Sequence, residues 1–71
     1  MNLVYTNHGL ERLKERGISK RDIAEALRKG RKSDSENDLR KSVYRTARGT
    51  LTVIYNIKNA EEALIVTAYR E

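Results

Sequence analysis

Ser42–Tyr69, SVYRTARGTLTVIYNIKNAEEALIVTAY, sets the fold class. Val, Ile, Thr and Tyr crowd into Ser42–Ala47, Leu51–Ile57 and Ala63–Tyr69, the composition and lengths of β-strands. Arg48-Gly49 reads as a hairpin turn and Lys58–Glu62 as a looser one. Connections this short make sequential strands antiparallel neighbours, so a three-stranded meander is expected. In the middle strand Leu51, Val53, Tyr55 and Ile57 share one face, and Thr52, Ile54 and Asn56 share the other. The apolar face calls for helices to cover it. The more polar face is left for a ligand.

Upstream of the meander the period is helical. Ser19 and Asp22 form a Ser-x-x-Asp capping box, with Ile18 and Ile23 placed as a hydrophobic staple. Ile23, Ala26 and Leu27 continue as one buried stripe, and Gly30 closes this helix. Before it, Thr6 is an N-cap for a helix through Arg16, with Leu10 and Leu13 as a narrow apolar face and Gly17 as its left-handed stop. Leu3-Val4-Tyr5 is short enough to be only an optional strand. Gly30 to Lys41 is polar and charged, and reads as an exposed, mobile loop. The expected architecture is α+β: two N-terminal helices packed on a mainly antiparallel sheet, in the order (β)-α-α-β-β-β. No linker or change of composition divides the chain, so residues 1–71 read as one domain.

Composition narrows the function. Seventy-one residues bury only a marginal core. The absence of Cys excludes disulfides and thiolate metal sites and suits a reducing cytoplasm. The start, Met-Asn-Leu-Val-Tyr, lacks a signal-peptide layout, and no apolar run reaches the roughly 20 residues needed to span a bilayer. The formal net charge is +5, concentrated between Arg12 and Lys32, where nine Lys and Arg face only Glu15, Asp22 and Glu25. Such a field draws polyanions, nucleic acid above all, although a solvated helix surface would have the same composition.

His8 is the sole histidine. At about 100° per helical residue, Arg12 lies about 40° from it and Arg16 about 80°, along the border of the Leu13 stripe. That border is the rim of the helix–sheet junction, where side chains should be half sheltered. RNA can be cut without metal if a base takes the 2′-hydroxyl proton, cations hold the phosphate, and an acid serves the leaving oxygen. Histidine titrates near neutrality, and arginine offers a planar fork to phosphate oxygens. Thr67 and Tyr69 alternate onto one face of the last strand, and Arg45 lies inside the first strand of the meander. Tyr44 and Tyr55 are further stacking groups. Each of these residues also has an ordinary role in packing, capping or solvation. One His, no Cys and no converging carboxylate pair leave no metal or cofactor site.

Thr6-x-His8-x3-Arg12-x3-Arg16-Gly17-Ile18-Ser19, with the closing Val66-Thr67-x-Tyr69-Arg70, resembles a small prokaryotic domain family of unknown function. That family is similar to the RelE/ParE-like toxins of the barnase–EndoU–colicin–RelE nuclease fold group. The resemblance covers nearly the full chain, with its specific matches at the two ends. It implies a RelE-like sheet with packed helices, endoribonuclease activity and neutralisation by an antitoxin protein. It implies His8, Arg12, Thr67 and Tyr69 as catalytic positions. Arg16, Arg45, Arg70, Lys14, Arg31 and Lys32 are the accompanying RNA-binding candidates. Gly9 stands where the family pattern has Ala, which would loosen or delay the first helical turn. Two other readings stay open. Leu13 to Gly30 also fits a DNA-binding helix-turn-helix followed by a wing, although such domains add a third helix. The chain is equally readable as a catalytically dead domain whose sheet binds protein.

Overall fold

The computed structural model describes residues 2–71. Its elements are β1 (Asn2–Tyr5), α1 (Asn7–Glu15), α2 (Lys20–Lys29), β2 (Arg31–Asp34), a 3-10 turn at Glu36–Asp38, β3 (Arg40–Thr46), β4 (Gly49–Asn59) and β5 (Glu62–Arg70). The class is α+β, with two helices on one mixed sheet of five strands ordered β1-β5-β4-β3-β2. β2 to β5 form an antiparallel meander, and β1 lies parallel to β5 at the edge. No third α-helix follows the pair among the described residues.

Both helices begin where their caps are. Thr6 Oγ1 accepts from Gly9 N at 2.9 Å, so α1 starts at Asn7 despite the glycine in its first turn. Gly17, at φ +67°, follows the last turn in the left-handed region. At α2, Ser19 Oγ accepts from Asp22 N at 3.1 Å and Asp22 Oδ2 accepts from Ser19 N at 3.0 Å, a complete capping box. Gly30 ends α2 at the expected place but in extended backbone, φ −73°. A side chain is excluded there for another reason. A Cβ at Gly30 would run into the Ala26 carbonyl and the Ser42 hydroxyl. Gly30 thus lets α2 press on β3, where the buried Ser42 Oγ donates to Ala26 O at 2.6 Å.

The core gathers Leu13, Ile18, Ile23 and Ala26 from the helical half against Leu51, Val53, Tyr55, Ala63, Ile65 and Ala68. Alternation therefore aims Leu51, Val53 and Tyr55 at the helices, as their spacing predicts. Ile57, fourth in that series, is 38% exposed, because burial along β4 fades beyond Tyr55. Leu27 packs on the core from its margin.

The supposed mobile loop is the main correction. Residues 31–34 form an edge strand paired with Arg40–Val43, and Asn37 and Asp38 turn the chain with φ of 58° and 62°. All four residues of β2 are exposed. An edge strand held by backbone hydrogen bonds needs no apolar side chains, so composition alone could not reveal it. The first turn is shifted by one residue, to Ala47-Arg48, and the second is tighter than expected, at Ala60-Glu61.

Register defines the face away from the helices. Arg31, Val43, Thr52 and Tyr69 stand opposite one another across β2, β3, β4 and β5. The next row on the same face is Ser33, Lys41, Ile54 and Thr67. Thr52 is buried on that face, 5% exposed, whereas Tyr69 is 36% exposed. Val66 is left out of the pairing, since Ile54 pairs with Thr67 and Tyr55 with Ile65.

Candidate functional site

β1 ends at Tyr5, opposite Ile65, so β5 from Val66 onward has no strand on that side. The chain turns at Thr6 into α1, which packs along this free border of β5. A hollow of about 230 Å³ opens between them, lined by Thr6, His8, Gly9, Arg12, Val66 and Thr67 among others. His8 and Arg12 come from the helix stripe, and Val66, Thr67 and Ala68 from the last strand, so the hollow joins the two ends of the chain that carry the site pattern.

Within the hollow, Arg12 Nε donates to His8 Nε2 at 3.1 Å. This contact is the i, i+4 neighbour relation of a helix, and it assigns the imidazole proton to Nδ1. No ion pair or hydrogen bond to another described residue engages the terminal nitrogens of Arg12. Arg16, one turn on, is already committed. Its Nη1 donates to Ala68 O at 2.6 Å and lies 3.4 Å from Thr67 Oγ1, tying the end of α1 to β5. The stripe geometry thus brings His8, Arg12 and Arg16 to the sheet border, although all three are exposed, not half sheltered. A helix lying along a strand edge has no second layer to cover its outer side.

Tyr69 does not line the hollow. It stands two residues farther along β5, opposite Thr52 on the face away from the helices. Its neighbour Arg70 turns the other way, towards α2, where it meets Asp22 at 3.7 Å with its side chain 20% exposed. The Ser19 backbone N–H, and then the Ser19 hydroxyl and the Arg70 and Arg48 charges, hold the Asp22 carboxyl below its usual range against an opposing effect of burial. Arg70 is therefore part of the helix–sheet fastening. The phenol of Tyr5 is buried without a hydrogen-bond partner, and burial pushes it above the ordinary tyrosine range.

The remaining cations fall elsewhere. Arg31 and Arg45 meet at the other side of the sheet, lining a hollow of about 630 Å³ with Lys29, Val43 and Tyr44. This hollow exists because β2 begins opposite Val43 and leaves Tyr44 and Arg45 without a neighbour beyond it. Lys29 pairs loosely with Glu25 at 3.8 Å. Lys32 is exposed, with its ammonium on Gly30 O at 2.9 Å, and Lys14 is exposed on α1. Lys29 is the cation that sequence reading missed here. Its signal was the turn-forming run Asp34–Asp38, which folds β2 back beside β3.

The two hollows differ in what they offer. One has a proton acceptor, an arginine with free donors and a hydroxyl. The other has three cations beside an aromatic ring. No curated protein and no solved structure matches the chain. A family model described as a domain of unknown function, DUF4258, matches residues 5–70, and the chain belongs to that family.

Proposed function

We propose that this chain is a metal-independent endoribonuclease of the toxin type, similar to the RelE/ParE-like toxins, acting in the cytoplasm and restrained by an antitoxin protein. The observation that carries the reading is the single hollow shared by His8, Arg12 and Thr67. A phosphate entering it would meet the terminal nitrogens of Arg12 and the Thr67 hydroxyl, which stabilise charge as it develops on the phosphoryl oxygens. Turning Arg12 to the phosphate releases the His8 Nε2 lone pair from its 3.1 Å hydrogen bond. That nitrogen then takes the 2′-hydroxyl proton. The 2′-oxygen forms its bond to phosphorus as the bond to the 5′-oxygen breaks. The products are a 2′,3′-cyclic phosphate and a 5′-hydroxyl, whose proton comes from solvent at the open side of the hollow. Tyr69 has no proton-transfer part in this scheme.

The test is incubation of the purified chain with cellular RNA in EDTA. Fragments ending in 2′,3′-cyclic phosphate are expected, with rates lowered at least about 100-fold in His8→Ala and Arg12→Ala. Intact RNA, or equal cleavage by all three proteins, refutes the reading.

A further inference from the structure

We propose that the sheet face away from the helices is a platform for single-stranded RNA, with Tyr69 as its stacking surface and Arg31 and Arg45 as its phosphate contacts. The inference rests on the ribonuclease reading and extends it from the reacting phosphate to the flanking nucleotides.

Register supplies the layout. Tyr69, Thr52, Val43 and Arg31 form one row across four strands. Three strand spacings separate its ends, about 14 Å. The row begins with an exposed aromatic ring and ends with an exposed guanidinium, and its two middle members are small and uncharged. Arg45 shares the face with Val43, two residues along β3, and both line the 630 Å³ hollow with Arg31. Lys41, two residues the other way, adds a third cation to the same face.

Charge selects the partner. Glu62, at the far end of β5, is the one strand carboxylate that alternation puts on this face among the described residues. Arg31 and Arg45 have no ion pair with any described residue. A polyanion therefore meets cations with no internal competitor. The aromatic ring separates a nucleic acid from other polyanions, because a base stacks on it and a carboxylate does not. A single strand is favoured over a duplex, since stacking on Tyr69 requires an unpaired base face. The hollow at the edge of the sheet, which Arg31 and Arg45 share with Lys29 of α2 and Tyr44, is within the size range of pockets that take small ligands, enough for one nucleotide unit.

The platform also adjoins the reacting site. Thr67 and Tyr69 are two residues apart on β5, and Thr67 lines the His8 hollow at the free border of that strand. An RNA whose phosphate sits against Arg12 and Thr67 turns over the border of β5, and its next base reaches Tyr69. This gives Tyr69, which lies outside the His8 hollow, a role in holding substrate and not in proton transfer.

The test is fluorescence anisotropy with a 5′-labelled single-stranded RNA octamer, in the His8→Ala background so that the probe stays intact. Tyr69→Ala is expected to weaken binding about tenfold or more, and Tyr69→Phe, which keeps the ring, to recover the loss. Arg31→Gln and Arg45→Gln should each flatten the log–log salt dependence by about 0.7. Arg28→Gln, on the outer side of α2, serves as the control for general charge. Circular dichroism of each variant establishes that it is folded. Equal affinities for Tyr69→Ala and Tyr69→Phe overturn the proposal, as does competition by poly-glutamate or duplex RNA as strong as by the single strand. Retained binding with no cleavage by wild type would sink the nuclease reading and leave the platform standing. Cleavage that depends on His8, with Tyr69 and Arg31 variants binding normally, would do the reverse.

Discussion

Gly30→Ala tests how α2 is seated on the sheet. Its backbone, at φ −73°, admits any residue, so the substitution carries no conformational strain. The cost is steric. The new methyl group meets the Ala26 carbonyl and the Ser42 hydroxyl, and stands 3.0 Å from Val43 O. Separating α2 from β3 to admit it costs about 1–3 kcal/mol in disturbed packing. It also breaks the hydrogen bond from Ser42, a residue 0% exposed, and a buried hydroxyl left without its acceptor costs about 1–3 kcal/mol more. Alanine returns about 0.4–1 kcal/mol through a less flexible unfolded chain. The net loss is about 1–5.5 kcal/mol, up to the whole stability of a domain this size. Urea unfolding followed by circular dichroism reads it as a midpoint lowered by about 1 M or more, or as a chain unfolded without urea. Gly17→Ala is the comparison, with φ +67° and open space around it, and should lose only about 1–2 kcal/mol. In a Ser42→Ala background one of the two clashes is gone, so Gly30→Ala should cost less there than in wild type. A Gly30→Ala chain as stable as Gly17→Ala, or strict additivity with Ser42→Ala, refutes the reasoning.

On the proposed ribonuclease scheme, Thr67→Val should slow RNA cleavage about tenfold or more by removing a donor to the phosphate, and Thr67→Ser should recover most of it, both read from initial rates on a labelled oligonucleotide. Arg16→Ala should lower stability by about 1 kcal/mol in urea, because its guanidinium holds Ala68 O. Unchanged stability with a flatter salt dependence of RNA binding would make Arg16 a phosphate ligand instead. Asp22→Asn tests the capping box by pH. The folded carboxyl sits below its ordinary value of 3.8, so in acid the unfolded chain binds the extra proton and unfolding gains. The advantage of wild type over Asp22→Asn is present above about pH 4 and should shrink as pH falls through the depressed folded value, measured by urea midpoints at stepped pH. An advantage constant down to pH 2 contradicts it.

The parts of the fold that the sequence made legible are those written in side chains with a period or a cap. Thr6, Ser19 and Asp22 announce the helix starts through their hydroxyl and carboxylate geometry. Leu51, Val53 and Tyr55 announce the covered face of β4 by alternation. β2 carries no such mark, because Arg31-Lys32-Ser33-Asp34 meets only solvent and is held by its backbone. The parallel pairing of β1 with β5 was equally hidden, since it joins Asn2–Tyr5 to Glu62–Ile65 from opposite ends of the chain. At the site, helix spacing foretold the His8–Arg12 contact, and a shared strand face suggested that Thr67 and Tyr69 would act together. Strand rise separates them. One reaches the hollow at the border and the other stays on the open face. Arg70 was misleading for a different reason, as its partner Asp22 lies in a helix 48 positions earlier in the chain.

The brevity of β1 has one more consequence. Beyond Ile65 the outward carbonyls and amides of β5 form an unfinished ladder of the kind on which a neighbouring molecule can build. α1 leans across that opening, and the side chain of Arg16 occupies the Ala68 acceptor. A single guanidinium thus caps part of the edge that a longer β1 would have covered.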